Sequence, residues 1–479
     1  MYEPGTHLSG SLSLNMKISV ASSENLAEYL AAKGITLDRR CGGLGRCGRC
    51  RVKLIAGEWQ CDGVPAKIPA EVPACRTRLV GGRGIVEIPD AIEKRTPAGM
   101  PKFELPAGPV HGTVIAVDLG TTTLAAVKLC DGKPVATAGT FNSQMRFGDN
   151  VVTRIAHAAH PNGLAELQTA CLSSLRQLLD ELGTDDVERI AVAGNTVMCH
   201  LFHGIDPTSI GSFPFNAPKL VFPPRRDLLP PIEVLTLPCI SGYLGGDITA
   251  GLYAAKLNPG EMLVDLGTNC EIVFNTGSGY FGTSAAAGPA FEGAGLRCGM
   301  RAEPGAIEHF FRDGGFSVIG GGEPRGICGS AYVDYLACER TAGRINEFGR
   351  FVDPVEKYRE LSPGVGIGED DVEQLLKAKA AISSGISALE EHCGMAASKL
   401  VLAGGFACGV NIDNAIAIGM LPDGRRIERI GNASLTGAAA LAADPGVISE
   451  LTRFSRLPKE LPLAQLAGFE SRFVNALLL

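Results

Sequence analysis

The sequence has no excess of basic residues: 44 Lys and Arg stand against 51 Asp and Glu, a net charge of -7 at pH 7. A chain that works on phosphate backbones carries the opposite balance, so nucleic acid is excluded as an expected partner. Aromatic side chains are scarce, with 1 Trp and 8 Tyr in 479 residues, which argues against an aromatic-rich recognition surface. No stretch reaches the roughly 18 consecutive apolar residues of a membrane span. Met1 to Val20 shows no basic region leading into an apolar core, so no leader is expected and the expected location is the cytoplasm. The G-x-x-x-x-G-K-[ST] pattern is missing, which excludes a P-loop. What is plentiful is apolar side chains, 45%, and Gly, 61 residues. Large cores and many tight turns follow, in a length of roughly two to four domains.

Fifteen cysteines is an odd count spread over the whole chain. That distribution speaks against a disulfide framework and leaves metal or redox chemistry open. Three sit together in Cys41-Gly-Gly-Leu-Gly-Arg-Cys47-Gly-Arg-Cys50, and Cys75 stands alone further on. A [2Fe-2S] cluster needs four converging thiolates, and a glycine-rich loop lets three of them approach without Cβ clashes. The spacing C-x5-C-x2-C with a distant fourth Cys resembles that of adrenodoxin-like ferredoxins and differs by one residue from the plant type. Cys41, Cys47, Cys50 and Cys75 are therefore the expected cluster ligands, with Cys61 a competitor for the fourth place. Zinc is the alternative, but structural zinc usually takes two close Cys pairs. The same loop spells Gly43-Leu-Gly45-Arg-Cys-Gly48, a formal dinucleotide fingerprint; it lacks the preceding buried strand and is discarded. Arg39, Arg40, Arg46, Arg49 and Arg51 crowd the loop, either as a solvated rim or as a docking face for an acidic redox partner.

Around this loop, strands are expected at Met16 to Val20, Arg51 to Ile55 (closed by Ala56-Gly57) and Gly84 to Ile88. A helix is expected over Asn25 to Lys33, capped by Ser22 or Ser23. Residues 1–90 thus form a small α+β unit, and the proline-rich segment 91–112 reads as a linker. From residue 113 to 479 the pattern is α/β: apolar strand runs at Val114 to Asp118, Arg189 to Val192, Met262 to Asp265 and Lys399 to Leu402, each ending in a turn signal. Helical periodicity covers Glu369 to Glu391.

One internal repeat stands out. Ile115-Ala-Val-Asp118-Leu-Gly120-Thr121-Thr122-Thr123 recurs 147 positions later as Met262-Leu-Val-Asp265-Leu-Gly267-Thr268-Asn269-Cys270. An Asp closing a strand before Gly and Thr makes a hairpin whose backbone N–H groups hold phosphate oxygens while the carboxylate holds Mg2+ through water. Two copies predict two facing half-domains. The arrangement resembles the superfamily of acetate and sugar kinases, heat-shock chaperones and actin, with duplicated ribonuclease-H-like half-domains. That resemblance implies a first phosphate loop of Asp118, Gly120, Thr121 and Thr122, and a second of Asp265, Gly267, Thr268 and Asn269. Gly404-Gly405-Phe406 would be the adenosine turn, and Asp118 and Asp265 the catalytic carboxylates. Cys199-His200-x-x-His203 spells a metal-like trio that is read as packing.

With CGGLGRCGRCRV (41–52), AVDLGTTT (116–123), VAGNTVMCHLF (192–202), SGYLGGDITAG (241–251), VDLGTNCEI (264–272), AAAGPAFEGAGLRCGM (285–300), GICGSAYVD (326–334), AGGFACG (403–409) and IGNASLTGA (430–438), the chain resembles the reductive activators of corrinoid proteins. These join a β-grasp [2Fe-2S] domain to an actin-like ATPase domain. The resemblance implies ATP-dependent one-electron reduction of cobalt(II) to cobalt(I), with a [2Fe-2S] cluster, ATP and Mg2+ as cofactors. It implies as partners a corrinoid protein of a methyltransferase system and an upstream low-potential electron donor, with a homodimer as one option for assembly. The alternatives are an ATP-driven donor to another low-potential acceptor and a non-redox kinase-like ATPase. Two departures are expected to matter: the intermediate domain of longer relatives is missing, and Gly148-Asp149-Asn150-Val151 stands where Gly-Ala-Asp-Val is common.

Overall fold

The computed structural model describes residues 16–21, 23–33, 35, 37, 50–88, 112–148, 150–466 and 468–479. The chain divides into two units, Met1–Arg95 and Thr96–Leu479.

Among its described residues the first unit is a β-grasp sheet with one α-helix. Strand β1 (Met16–Val20) is followed by α1 (Leu26–Ala32), β2 (Arg51–Cys61), β3 (Val64–Ala66), β4 (Ala70–Pro73) and β5 (Thr77–Ile88). The sheet runs β1-β5-β2-β3, with β4 paired to β2. Leu26 and Leu30 of α1 lie in one core with Val52, Leu54, Trp59, Val86 and Ile88, the i, i+4 stripe of a helix meeting the inward face of a pleated sheet. Two local expectations are corrected. Asn25, not Ser22 or Ser23, stands before α1: its side-chain oxygen accepts from Ala27 N at 3.1 Å, as a short amide cap does. Ala56-Gly57 does not close β2, which runs on to Cys61. Gly57 has φ +107, and a Cβ there would meet Gly84 Cα at 2.6 Å. The pairing slips register at this point, so the glycine makes a bulge inside a long strand rather than an end. The strand expected at Gly84 to Ile88 is the tail of the twelve-residue β5.

The second unit carries the duplication. Its first half holds β6 (Thr113–Leu119), β7 (Thr123–Cys130), β8 (Lys133–Phe141), α2 (Val151–Ala158), α3 (Gly163–Leu182), β9 (Val187–Ala193), α4 (Thr196–His203), β10 (Glu233–Thr236) and α5 (Gly246–Ala255). The second half opens with β11 (Glu261–Leu266), β12 (Cys270–Asn275) and β13 (Tyr280–Ala285). After an inserted subdomain with β14 (Ala306–Phe310), β15 (Phe316–Val318), β16 (Gly326–Ile327), α6 (Gly329–Thr341) and the hairpin β17 (Tyr358–Ser362) and β18 (Val365–Gly368), it resumes. There α7 (Glu369–Cys393), β19 (Lys399–Ala403), α8 (Gly405–Gly409), α9 (Ile412–Ala417), β20 (Arg426–Arg429) and α10 (Ala433–Ala443) follow. The sheet orders are β10-β9-β6-β7-β8 and β20-β19-β11-β12-β13, the latter extended by a short strand, Pro458–Glu460. In each, the central strand pairs antiparallel to the next in sequence and parallel to the later one. This is the duplicated ribonuclease-H-like architecture of an actin-like ATPase. The strands buried on both sides, such as β6 and β12, read as continuous apolar runs for that reason.

Helix α10, which follows the last strand of the second half's sheet core, packs on the first half's sheet, with Leu435, Ala438 and Ala439 in one core with Val114, Ala116 and Ala191. A Cβ on Gly437 would fall 2.4 Å from Ala250 Cβ of α5, so small residues let these two helices touch backbone to backbone. No helix among the described residues is long and apolar enough to cross a membrane. The expected helix over Glu369 to Glu391 is α7, its apolar face buried as the periodicity requires. Asn150 caps α2 by accepting from Thr153 N at 2.9 Å; Asp149 lies outside the described residues.

Candidate functional site

Asp118 and Asp265 occupy equivalent places, next to last in β6 and β11, opposite Ala193 of β9 and Ala403 of β19. The loops that follow meet each other: Thr122 Oγ1 lies 3.2 Å from Thr268 Oγ1. Side chains from neighbouring elements hold the first loop. Asn142 Nδ2 donates to Gly120 O at 2.9 Å, Asn195 Nδ2 to Thr121 Oγ1 at 2.9 Å, and the buried Arg154 guanidinium to Thr121 O at 2.5 Å. Asn195 is set for this because its own oxygen caps α4 through Met198 N. On the other side Thr268 Oγ1 donates to Glu292 Oε1 at 2.7 Å, and Asn432 Nδ2 donates to Asp118 Oδ2 at 2.8 Å. The second half-domain thus reaches directly onto the carboxylate of the first.

Four glycines of the loops differ in what they require. A Cβ on Gly120 would lie 2.4 Å from Thr123 O, and one on Gly404, which has φ +96, would lie 2.6 Å from Leu266 O and 2.7 Å from Asp265 Oδ1. Gly267 meets nothing closer than 3.5 Å, and Gly405 meets nothing within 4 Å. Gly404→Ala is therefore expected to lower stability by about 1–3 kcal/mol and weaken nucleotide binding, while Gly405→Ala stays within about 0.5 kcal/mol. Thermal unfolding and nucleotide titration of the pair check this; equal effects would contradict it.

The electrostatics of the cleft are one-sided. Burial raises Asp118 to about 6, opposed by the Asn432 hydrogen bond and aided by Glu292. Burial, then Asp247 and Asp118, raises Asp265 to about 8. Asp247, the second residue of α5, and Glu271, opposite Asp265 on β12, are pushed up by the same causes. No Lys or Arg is among the causes for any of the four. Buried carboxyls in this state need protons or a hard cation. Among the described residues no three acidic groups converge tightly enough to coordinate one ion directly, which fits Mg2+ that keeps its waters and binds through phosphates.

The sign of the pH dependence follows. Folded-state carboxyls titrating above the ordinary value keep protons that the unfolded chain has already lost, so metal-free stability falls as pH rises from about 4 through the folded values, about 6 for Asp118 and about 8 for Asp265. Thermal scans in chelator between pH 5 and 8 should show a falling Tm, and Mg2+ with nucleotide should flatten the slope. A Tm that rises over that range would contradict the cluster.

Asn195, Asp247, Glu271, Glu292 and Asn432 lie within the motifs that carry the family resemblance but were given no role there, and Arg154 lies outside those motifs. Asp247 follows Gly245-Gly246, where a Cβ on Gly245 would sit 2.4 Å from Asn195 Cα. Glycines forced by close approach to a capping Asn are the signal that marks that aspartate. The Cys199, His200 and His203 trio is packing: His200 Nδ1 lies 2.7 Å from Thr196 O, His203 Nε2 lies 2.9 Å from Thr236 Oγ1, and the His203 ring stacks on Phe222.

In the first unit, Cys50 and Cys75 are both buried. Ala74 N donates to Cys50 O at 2.8 Å and Asn25 Nδ2 to Cys75 O at 2.8 Å, so β-sheet and helix together clamp these two distant segments side by side. Cys61 ends β2 opposite Thr77. Cys41 and Cys47 lie outside the described residues. Cys50 and Cys75, on neighbouring segments of one core, supply two of the four thiolates that an iron-sulfur cluster takes.

Comparison with known proteins agrees with both units. Residues 10–80 match the 2Fe-2S iron-sulfur cluster binding domain, 113–259 the RACo middle region, and 260–479 the C-terminal ASKHA domain of RACo. The corrinoid activation enzyme RamQ of Eubacterium limosum is 31% identical over 379 residues, 69% of this chain and 64% of that protein. The match thus spans just under two thirds of that relative's length. The [Co(II) methylated amine-specific corrinoid protein] reductase of Methanosarcina barkeri is 26% identical over 71% of this chain and 72% of its own. A solved reductive activator for corrinoid,iron-sulfur protein superposes with a TM-score of 0.72 at 27% identity, covering 96% of each chain. The RACo middle region falls on residues 113–259, which form the first half-domain of the part expected to be actin-like. With the cluster domain, the middle region and the ASKHA domain following one another in this order, the chain belongs to the RACo family, the reductive activators of corrinoid proteins.

Proposed function

We propose that this protein uses ATP to drive one-electron reduction of a corrinoid protein from cobalt(II) to cobalt(I), with Cys41, Cys47, Cys50 and Cys75 holding the [2Fe-2S] cluster. A cluster of this kind supplies a one-electron carrier near about -400 mV. Each ~59 mV of uphill transfer costs a factor of ten in the equilibrium for one electron, so a lower-lying cobalt couple calls for an energy input. The observation that carries the reading is the Thr122–Thr268 contact between the two Asp-Leu-Gly-Thr loops, with Asn432 of one half bonded to Asp118 of the other. Those loops would hold the nucleotide phosphates, and Asp118 and Asp265 would hold Mg2+ through water, so that bound nucleotide would favour one arrangement of the half-domains and its hydrolysis and release another. The half-domains then have two arrangements with different contacts to nucleotide, which is what coupling requires. Gly120, Thr121, Thr122, Gly267, Thr268 and Asn269 offer backbone and hydroxyl donors to the phosphates, and Gly404 and Gly405 face the nucleoside side.

The chemistry at this site is electrostatic: the carboxylates position Mg2+ and water, and no covalent intermediate on the protein is called for. Anaerobic reduced protein mixed with MgATP and a corrinoid protein in the cobalt(II) state should develop the cobalt(I) absorption band. The same yield without ATP, or none with it, would reject the proposal. Phosphoryl transfer to an added metabolite, indifferent to the cluster's oxidation state, would favour a kinase instead.

A further inference from the structure

Beside the turn at Gly404 lies an open pocket of about 530 Å3 whose lining includes His309 of β14, Cys408 of α8 and Arg429 of β20. Among the described cysteines Cys408 alone is exposed. His309 is held from behind: its Nδ1 lies 2.9 Å from Oδ2 of Asp334, whose carboxylate is 2% exposed and whose Oδ1 accepts from Asn414 Nδ2 at 2.7 Å. A buried carboxylate bound to Nδ1 keeps the proton there and leaves Nε2 as the basic nitrogen of a residue that lines the pocket. An oriented imidazole and an exposed thiol line one cavity, and these are the two groups that a base-activated cysteine nucleophile uses. Neither group has a part in the phosphate loops described above.

We propose that Cys408 is a thiol-modification site for small disulfides, with His309 as the base and Asp334 as its positioning residue, and that the modification regulates the nucleotide site. His309 takes the Cys408 proton, and the thiolate attacks one sulfur of the small disulfide. A Cys408–sulfur bond forms as the disulfide bond breaks. The departing thiolate takes up the proton, so Cys408 is oxidised and the departing half is reduced. Glu308 and Asp413 also line the pocket against the single guanidinium of Arg429, a net negative lining that favours a cationic disulfide. The Cys408 thiol donates to Gly404 O at 3.7 Å, and Gly404 packs against Asp265 so closely that a Cβ would reach its Oδ1 at 2.7 Å. An adduct removes that hydrogen bond and loads the turn beside the cleft carboxylate. This regulatory half rests on the nucleotide reading above.

The test uses intact, cluster-loaded protein under anaerobic conditions with cystamine as the probe, and adduct formation at each cysteine is timed by mass spectrometry. Cys408 should react first. His309→Ala should slow it at least about tenfold, with added imidazole restoring the rate. ATP hydrolysis should fall as the adduct accumulates and return with dithiothreitol, and Cys408→Ser should keep its hydrolysis in cystamine. Reaction at Cys408 no slower in His309→Ala would overturn the site. A full Cys408 adduct with unchanged hydrolysis would overturn the regulation. Absence of ATP hydrolysis in the unmodified protein would instead remove the nucleotide reading, while the adduct rates still decide the thiol site.

Discussion

Asp265→Asn should cut ATP hydrolysis by about 100- to 1000-fold, the effect of removing one preorganised charged partner at a phosphoryl-transfer site. The same change should stabilise the metal-free protein at pH 8. Burial, with the nearby charges of Asp247 and Asp118, disfavours the ionised form of Asp265, so a neutral amide of equal size relieves a repulsion that Mg2+ would otherwise offset. Loss of activity together with a raised Tm in chelator separates a catalytic role from unfolding. Lost activity with a lowered Tm would mean that the carboxylate serves the fold.

Cys75→Ser is the second large effect. The variant should lose the iron-sulfur absorption and all cobalt(II) reduction while the separate unit Thr96–Leu479 keeps its nucleotide-binding elements. The substitution removes a thiolate donor without adding bulk. Cys75 sits next to Ala74, whose N–H is bonded to Cys50 O, so an error at this position also loosens the Cys50 segment. Cys61→Ser, at the end of β2, should retain the cluster. A cluster that survives Cys75→Ser and vanishes in Cys61→Ser would reassign the fourth ligand.

The parts of this fold that were legible in sequence are those where one physical demand dictates the residues. Asp118 and Asp265 each need a strand behind them and a tight turn in front, and that demand left the same words twice, 147 positions apart. Helix α7 was legible because one face is buried along its whole length. Strand β2 was misjudged because Gly57, a breaker by composition, serves as a bulge once Gly84 lies against it. Asp247, Glu271 and Glu292 stood inside quoted motifs, yet their shared role was missed for a different reason. Nothing local marks a carboxylate as part of a cluster whose other members lie in other strands and helices, and only the tertiary structure makes it one. The cap of α1 was missed because Asn25 also bonds Cys75 O, a contact fifty residues away.

The decisive measurement is a single-turnover mixing experiment. Protein is reduced, freed of excess reductant and mixed anaerobically with a corrinoid protein in the cobalt(II) state, with and without MgATP, and the paramagnetic signals of the reduced cluster and of cobalt(II) are followed together. Both signals should decay in equal amounts, only when MgATP is present, and not at all with Asp265→Asn. Equal decay without nucleotide, or ATP consumed while both signals persist, would contradict a nucleotide-driven electron transfer in this protein.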